Sequence, residues 1–493
     1  MTDAQADRQL LIASNRGPVS FSRTNGTLTA RRGGGGMVSG LSAAAEETPM
    51  VWVCAALSDA DREAASASPS GLLDASDTGG GAAVRMLSIP PDVFDSAYNR
   101  VANATLWFVH HMLYDTPKKP SFGPAFAAEW EAFRHYNRMF ATALAGAAEL
   151  ADGASTRAVI QDYHLCLAPR MLAERVPGMP IAHFSHTPWA PPDYYRMLPA
   201  EVAGAVLDGM LGADHVGFHA GRWADAFLDC CAAILGAQVS RAADDGAGPA
   251  GRVVYHGHVT EVAVHPLGVD APALRARARA DDVQAYVTAL GQAAEGRKLI
   301  VRVDRTEPSK NIVRGLTAYR ELLATRPEWH GRVVHLAFAY PSRSAVPEYR
   351  TYTEQVRQIA AEITAEFRTP DWNPLILEVR DDYPRSLAAC AVADVLLVNP
   401  IRDGMNLVAQ EGPVLSERGC ALVLSREAGA AATLDGDALL VNPYDVSETA
   451  AALHQALTMP DAERRRRTEA LAATAAASPP ARWLGDQLAA LDT

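Results

Sequence analysis

Two cations five residues apart open the question of chemistry. Arg305 and Lys310 stand in Val301-Arg-Val-Asp-Arg305-Thr-Glu-Pro-Ser-Lys310-Asn311, just past an apolar run. A guanidinium fork and an ammonium point charge on a turn restricted by Pro308 can converge on one diphosphate. The bland alternative is a solvated turn. Lysine scarcity argues against it: of 45 Lys+Arg residues, lysine occurs only at Lys118, Lys119, Lys298 and Lys310. A second constellation is Val398-Asn-Pro-Ile-Arg402-Asp403-Gly404-Met-Asn-Leu-Val-Ala-Gln-Glu411. A helix beginning near Met405 would offer the bare N–H groups of Asn406, Leu407 and Val408 to a phosphate, with Asp403 and Glu411 as carboxylates for sugar or ribose hydroxyls. Gly412 and Pro413 should kink that helix.

Asp162, in Gln161-Asp-Tyr-His-Leu165, and His186, in Phe184-Ser-His-Thr-Pro-Trp189, follow successive apolar runs. They read as a general-base pair or a sugar-hydroxyl clamp, against the competing reading of a structural histidine, and no serine nucleophile elbow accompanies them. Near the N-terminus, Ser14-Asn15-Arg16 is followed by Arg31-Arg-Gly-Gly-Gly-Gly-Met-Val-Ser-Gly40. That stretch reads equally as a hairpin or as a phosphate cradle, and its spacing is not a dinucleotide fingerprint.

These residues follow short apolar runs, and the runs define the elements. Strands are predicted at Leu10–Ser14, Val51–Cys54, Leu106–Val109, Ala158–Gln161, Ile181–Ser185, His215–Phe218, Leu299–Asp304, Val333–Ala339, Leu375–Val379, Val395–Asn399, Ala421–Ser425 and Leu439–Asn442. Near-continuous apolar strands alternating with Ala/Leu-rich helices imply parallel sheets covered on both faces. A dozen strands exceed one sheet, so an α/β chain of two doubly wound domains is expected. The best boundary is the turn His265-Pro-Leu-Gly-Val-Asp270, with a last helix after Ser478-Pro-Pro480. In such sheets ligands bind beyond the carboxyl ends of strands, where the chemistry-bearing residues fall.

A net charge of −12 over 493 residues argues against a nucleic-acid or membrane surface. The N-terminal segment does not read as a signal peptide, and no run reaches membrane-spanning length, so a cytoplasmic protein is expected. Cys54, Cys166, Cys230, Cys231, Cys390 and Cys420 lie singly or adjacent in apolar segments without a C-x-x-C pair and read as reduced core residues.

Together, Asp162-Tyr-His-Leu, Arg402-Asp-Gly-Met-Asn-Leu-Val-Ala and Val441-Asn-Pro-Tyr-Asp445 resemble the trehalose-6-phosphate synthase family of retaining, metal-independent glycosyltransferases, nearly collinearly from Ser14 to about Leu457. The resemblance implies two facing Rossmann-like domains with the cleft between them (GT-B). These would be an acceptor domain over 1–268, a nucleotide-sugar donor domain over 269–478 and a helix over 479–493 crossing back. It implies no cofactor, the nucleotide-sugar being a co-substrate, and small-molecule partners; a homo-oligomer is compatible with it. On the donor side, Arg305 and Lys310 would hold the diphosphate with the backbone at Leu407 and Val408. Glu411 would bind the ribose, Asp403 and His186 the transferred glucose, and Gly36 would approach the phosphates. Asn406 and Tyr383 complete the donor set. His186, Arg305, Lys310 and Asp403 form the catalytic set. Arg16, Tyr98, Trp107 and Arg343 would contact the acceptor sugar phosphate, and Asp162 its hydroxyl.

Three departures bear on specificity. Where the best-known members have a Trp-Ser-Gly stretch, this chain has Trp52-Val-Cys-Ala55-Ala-Leu-Ser-Asp59. The Arg305–Asn311 pattern is shared with related pseudo-glycosyltransferases (validoxylamine-phosphate synthase type) that couple an activated cyclitol to an aminocyclitol phosphate. That activity and a catalytically silent sugar-phosphate binder are the alternatives to the glucosyl reading. The base region Leu377-Glu-Val-Arg-Asp381-Asp382-Tyr383 carries carboxylates able to accept from a guanine edge. GDP-glucose is therefore expected ahead of UDP-glucose, with glucose 6-phosphate as acceptor.

Overall fold

The computed structural model describes residues 9–24, 26–32, 38, 41, 50–68, 71–73, 82–150, 156–242 and 247–492. The chain divides into two units, Met1–Leu267 together with Pro480–Thr493, and Gly268–Pro479.

The first unit carries β1 (Gln9–Ala13), β2 (Val19–Thr24), β3 (Thr27–Arg32), β4 (Met50–Ala55), β5 (Ala82–Leu87), β6 (Thr156–Gln161), β7 (Ile181–Ser185), β8 (His215–Phe218), β9 (Gln238–Arg241), β10 (Gly248–Tyr255) and β11 (His258–Val264). Nine of them form one sheet in the order β5-β4-β1-β6-β7-β8-β11-β10-β9, and β2 and β3 make a separate hairpin. Pairing is parallel from β5 to β11. It turns antiparallel for β11-β10-β9. Strands β4, β6, β7 and β8 are buried along their whole length, which is why they read as apolar runs rather than alternating ones. The helix Pro480–Ala490 belongs to this unit. Its Trp483 ring lies edge-on to Phe184 at 4.9 Å, and Asp492 beyond its end pairs with Arg157 at 3.2 Å.

The second unit carries β12 (Lys298–Arg305), β13 (Val333–Tyr340), β14 (Leu375–Val379), β15 (Val395–Val398), β16 (Ala421–Ser425) and β17 (Leu439–Val441). They form a wholly parallel sheet in the order β14-β13-β12-β15-β16-β17. Reversal of strand order at β12/β15 is the switch point of a doubly wound sheet, the place where its ligands bind.

Three local expectations fail. Leu106–Val109 is not a strand: it closes a π-helix, Asp95–Leu106, and begins the α-turn Trp107–His110. All four residues are buried, so the run has no alternation to separate a core helix from a core strand. Strands β2, β3 and β5 are absent from the predicted set, and the alternating burial of β5 fits a sheet edge. The antiparallel β9-β10-β11 extension is also absent from the predicted set, because these strands are partly exposed and too polar to stand out. The helix expected near Met405 begins at Val408 and runs to Leu415 with Pro413 inside it.

All six cysteines are buried and free. Among the described residues no helix is long and apolar enough to cross a membrane.

Candidate active site

In the second unit, β12 delivers Arg305 at its carboxyl end and β15 delivers Arg402 and Asp403. After Arg305 the chain makes a one-turn 3-10 helix, Pro308–Lys310, and Asn311 turns left-handed at φ 57°. Asn311 then staples three segments together: its Nδ2 donates to Asn399 O at 3.0 Å and to Pro443 O at 2.7 Å, while Ile401 N donates to Ser309 O at 2.7 Å. Lys310 Nζ thereby meets Asp403 Oδ2 at 2.5 Å, and Asn406 Nδ2 donates to the same oxygen at 3.0 Å. Asn406 is itself left-handed, at φ 81°, and its Oδ1 accepts from Ala409 N, so one side chain both caps the helix start and orients the carboxylate. The three-residue delay in that helix, from Met405 to Val408, follows from this turn. Gly429 allows the approach of the neighbouring loop: a Cβ there would fall 1.8 Å from Gly404 O.

Below the surface, Arg302 and Asp304 form an ion pair at 2.8 Å with side-chain exposures of 1% and 7%. Arg302 Nη2 also donates to Lys310 O at 3.1 Å. Burial pushes the Asp304 carboxyl up, with Arg302 and Lys310 opposing. Glu307 is likewise buried and faces Arg305 at 3.0 Å and Arg343 at 3.7 Å. Neither Arg302 nor Glu307 stood out in the sequence. The available signal was a charged residue inside an otherwise apolar strand and an acid between two cations.

Glu411, on the first turn of the Val408–Leu415 helix, has its carboxyl pushed up to about 7 by burial. Tyr383 is half-exposed at the start of the helix Tyr383–Val392. Two of the three carboxylates expected to read a guanine edge, Asp382 and Glu378, are otherwise engaged. Asp382 Oδ1 caps Arg385 N, its Oδ2 accepts from Tyr286 at 2.8 Å, and Arg380 lies 3.3 Å away. Glu378 is paired with Arg380 and Arg385. The physical basis for preferring guanine therefore falls away at these two carboxylates.

In the first unit, Asp162 follows β6 in a left-handed conformation, φ 71°. His186 N donates to its Oδ1 at 3.2 Å and His164 Nδ1 lies 3.5 Å from Oδ2. Burial alone would raise the Asp162 carboxyl, but His164 and His186 hold it well below the usual range. Both ring nitrogens of His186 have protein partners: Nε2 meets Gln161 Oε1 at 2.8 Å and Nδ1 meets His219 Nε2 at 3.1 Å. With the Gln161 carbonyl as acceptor, the matching assignment puts the His186 proton on Nε2 and lets Nδ1 accept a hydrogen bond from His219 Nε2–H. Burial lowers the pKa of His186 and keeps the ring neutral.

Tyr98 stacks on His164 at 5.3 Å, joining it to the Asp162 group. Nine residues are roughly 2.5 turns of an α-helix and would place Tyr98 and Trp107 on opposite faces. The segment between them is instead a π-helix, Asp95–Leu106, so the α-helical spacing does not apply. Trp107 is only 3% exposed, packed on His111 at 4.2 Å. Arg16 is exposed on a loop whose backbone is tied down: Ser14 Oγ donates to Arg16 O at 2.6 Å and accepts from Trp52 Nε1 at 2.8 Å. Ala55 is buried at the end of β4. Gly36 lies outside the described residues.

The description Glycosyltransferase family 20 matches residues 8–493. This chain belongs to glycosyltransferase family 20. It is a glycosyltransferase with two Rossmann-like sheets of the GT-B class. An α,α-trehalose-phosphate synthase (UDP-forming) of Emericella nidulans is 32% identical over 94% of this chain and 87% of its own length. A crystal structure of an α,α-trehalose-phosphate synthase (UDP-forming) from Burkholderia vietnamiensis superposes with a TM-score of 0.82 at 30% identity, covering 98% of this chain and 97% of that one. An Arabidopsis thaliana relative is 33% identical over 94% of this chain, which spans about half, 54%, of that protein's length.

Proposed function

We propose that the protein is an α,α-trehalose-phosphate synthase that transfers glucose, with retention, from UDP-glucose to glucose 6-phosphate. The observation that carries this reading is the meeting of Lys310 with Asp403 beside Arg305, at the carboxyl ends of β12 and β15. That arrangement sets two cations for a diphosphate next to a carboxylate for a sugar hydroxyl. UDP takes the place of GDP for two reasons: Asp382 and Glu378 already have partners, and relatives matched along nearly the whole chain are named UDP-forming.

In the proposed reaction the bond from glucose C1 to the diphosphate oxygen breaks while a bond from C1 to the acceptor's anomeric oxygen forms on the same face. The acceptor hydroxyl proton passes to the departing phosphate. Arg305 and Lys310, with the N–H groups at Leu407 and Val408, stabilise the charge that grows on the leaving group. Asp403 orients the transferred glucose, His186 lines its pocket, and Asn406 holds Asp403 in place. Glu411 takes the ribose hydroxyls, with Tyr383 beside the base. Arg16, Arg343, Tyr98 and Trp107 hold the acceptor sugar phosphate, and Asp162, kept ionised by its histidines, accepts from an acceptor hydroxyl. Gly36 would approach the donor phosphates. In this reading the protein contributes positioning and electrostatics, and no side chain serves as nucleophile.

Incubation with glucose 6-phosphate and UDP-, GDP- or ADP-glucose, with nucleotide release and disaccharide phosphate measured, tests the reading. Fastest turnover is expected with UDP-glucose. No turnover with any donor overturns it, and faster turnover with GDP-glucose restores the guanine argument.

A further inference from the structure

Glu307 lies two residues past the end of β12, with a side-chain exposure of 1%. Its Oε1 accepts from Ser342 Oγ at 2.9 Å and is ion-paired with Arg305 Nη1 at 3.0 Å and Arg343 Nη1 at 3.7 Å. The two arginines come from neighbouring strands, since Arg305 pairs in register with Tyr340 and Arg343 follows three residues later. Thr306 fastens those strand ends together, its N and Oγ1 donating to Tyr340 O at 2.8 and 3.1 Å. Arg343 is further held by Tyr349, whose OH lies 2.7 Å from Nη1, and its backbone is left-handed at φ 44°. A non-glycine residue in that region is strained and persists only where its surroundings fix it.

We propose that Glu307 is a positioning residue for both substrates, its buried carboxylate holding Arg305 and Arg343 in one cluster so that the donor diphosphate and acceptor phosphate contacts are set together. The inference rests on the roles proposed above for those two arginines. Two guanidiniums facing one buried point repel each other. One carboxylate between them offsets half of that charge and leaves a net positive charge for phosphate. Burial would raise the Glu307 carboxyl, but Arg305, Arg343 and Lys310 bring it down to about 2, so it is ionised throughout the neutral range. With Glu307 and Arg343 buried and Arg305 43% exposed, this ion cluster adds little to stability when compared with an apolar core of the same shape. Geometry for two ligands is the role that fits it.

The test measures KM for UDP-glucose and for glucose 6-phosphate, together with calorimetric binding of UDP, in the native protein, Glu307→Gln and Glu307→Asp. Glu307→Gln keeps the shape and removes the charge, and is expected to raise both KM values and the UDP dissociation constant at least fivefold. Glu307→Asp, which restores the charge on a shorter arm, should recover part of the loss for both substrates. A purely structural defect would lower kcat through the folded fraction and leave both KM values unchanged. That outcome overturns the proposal, as does a rise in one KM alone. If Glu307→Gln does not fold, Glu307→Asp decides: both KM values must rise, and a change in only one sinks the coupling. A native protein without turnover or UDP binding overturns the proposed function itself, which distinguishes that failure from one confined to Glu307.

Discussion

Lys310 Nζ and Asp403 Oδ2 lie 2.5 Å apart although 93 residues separate them in the chain. A lysine on the turn after one strand and an aspartate on the loop after another meet because Asn311 and Ser309 bind those loops together. Both side chains are mostly buried, at 11% and 17% exposure. In a site that excludes water, each charge acts at short range on whatever group enters between or beside them.

Lys310→Ala should lower kcat by about 10²–10³, the range for removing one donor from a developing oxyanion. Lys310→Arg should not restore it, because a planar fork does not fit where a point charge touches one carboxylate oxygen. Nucleotide release under saturating donor is the measurement, and near-normal turnover in Lys310→Ala removes the residue from the site.

Donor binding should depend on pH through Glu411. Its carboxyl is raised from 4.5 to about 7. A raised folded pKa means that the protonated form is the one favoured by folding. The relative stability this group contributes is full below pH 4.5 and is lost as pH rises through 7. Glu411→Gln should therefore be more stable than the native protein at pH 8, by about 3 kcal/mol if the whole shift is recovered, and equally stable at pH 4.5. The ribose contact needs the carboxylate, so UDP affinity should fall as pH drops below 7. In Glu411→Gln only the nucleotide's own phosphate titration should remain. Calorimetry of UDP binding at pH 6, 7 and 8, with thermal melts from pH 4.5 to 8, checks both arms.

Gly429→Ala places a methyl carbon 1.8 Å from Gly404 O, a contact with backbone that no side-chain rotation relieves. The loop carrying Asp403 must move. Activity is expected to fall at least tenfold and stability by about 1–3 kcal/mol. Gly436, where an added Cβ meets nothing within 4 Å, serves as the control, and Gly436→Ala should leave turnover unchanged.

Arg302→Met strands Asp304 in the core and should cost about 3–5 kcal/mol, read as a lower denaturation midpoint. Replacing both partners, Arg302→Met with Asp304→Leu, should recover most of that stability while turnover stays low. The second result follows because the contact from Arg302 to Lys310 O is lost in either variant.

Much of the site could be read from the chain because catalytic loops follow apolar strands, and buried parallel strands are visible as apolar runs. Arg305, Lys310, Asp403, Asp162 and His186 all lie just beyond such runs, and the structure places each at or just after a strand end. Side chains whose importance depends on a distant partner were not visible. Glu307 and Arg302 sit next to the predicted cations but owe their geometry to Arg343, Ser342 and the Lys310 carbonyl. Asp382 shows the converse case: as a sequence residue it offered two acceptors to a base, and in the fold both have partners.

Periodicity and composition alone determined an α/β chain with two parallel-sheet regions and the loops that carry charge past them, because burial of a strand on both faces leaves a local signature. Tertiary structure decided the rest. Leu106–Val109 became helix rather than strand because a short run buried on every side carries no period. Lys310 found Asp403, and Glu307 its two arginines, through loop-to-loop hydrogen bonds between residues far apart in sequence. No local pattern records which loops will meet, and those meetings set the charge geometry on which the chemistry depends.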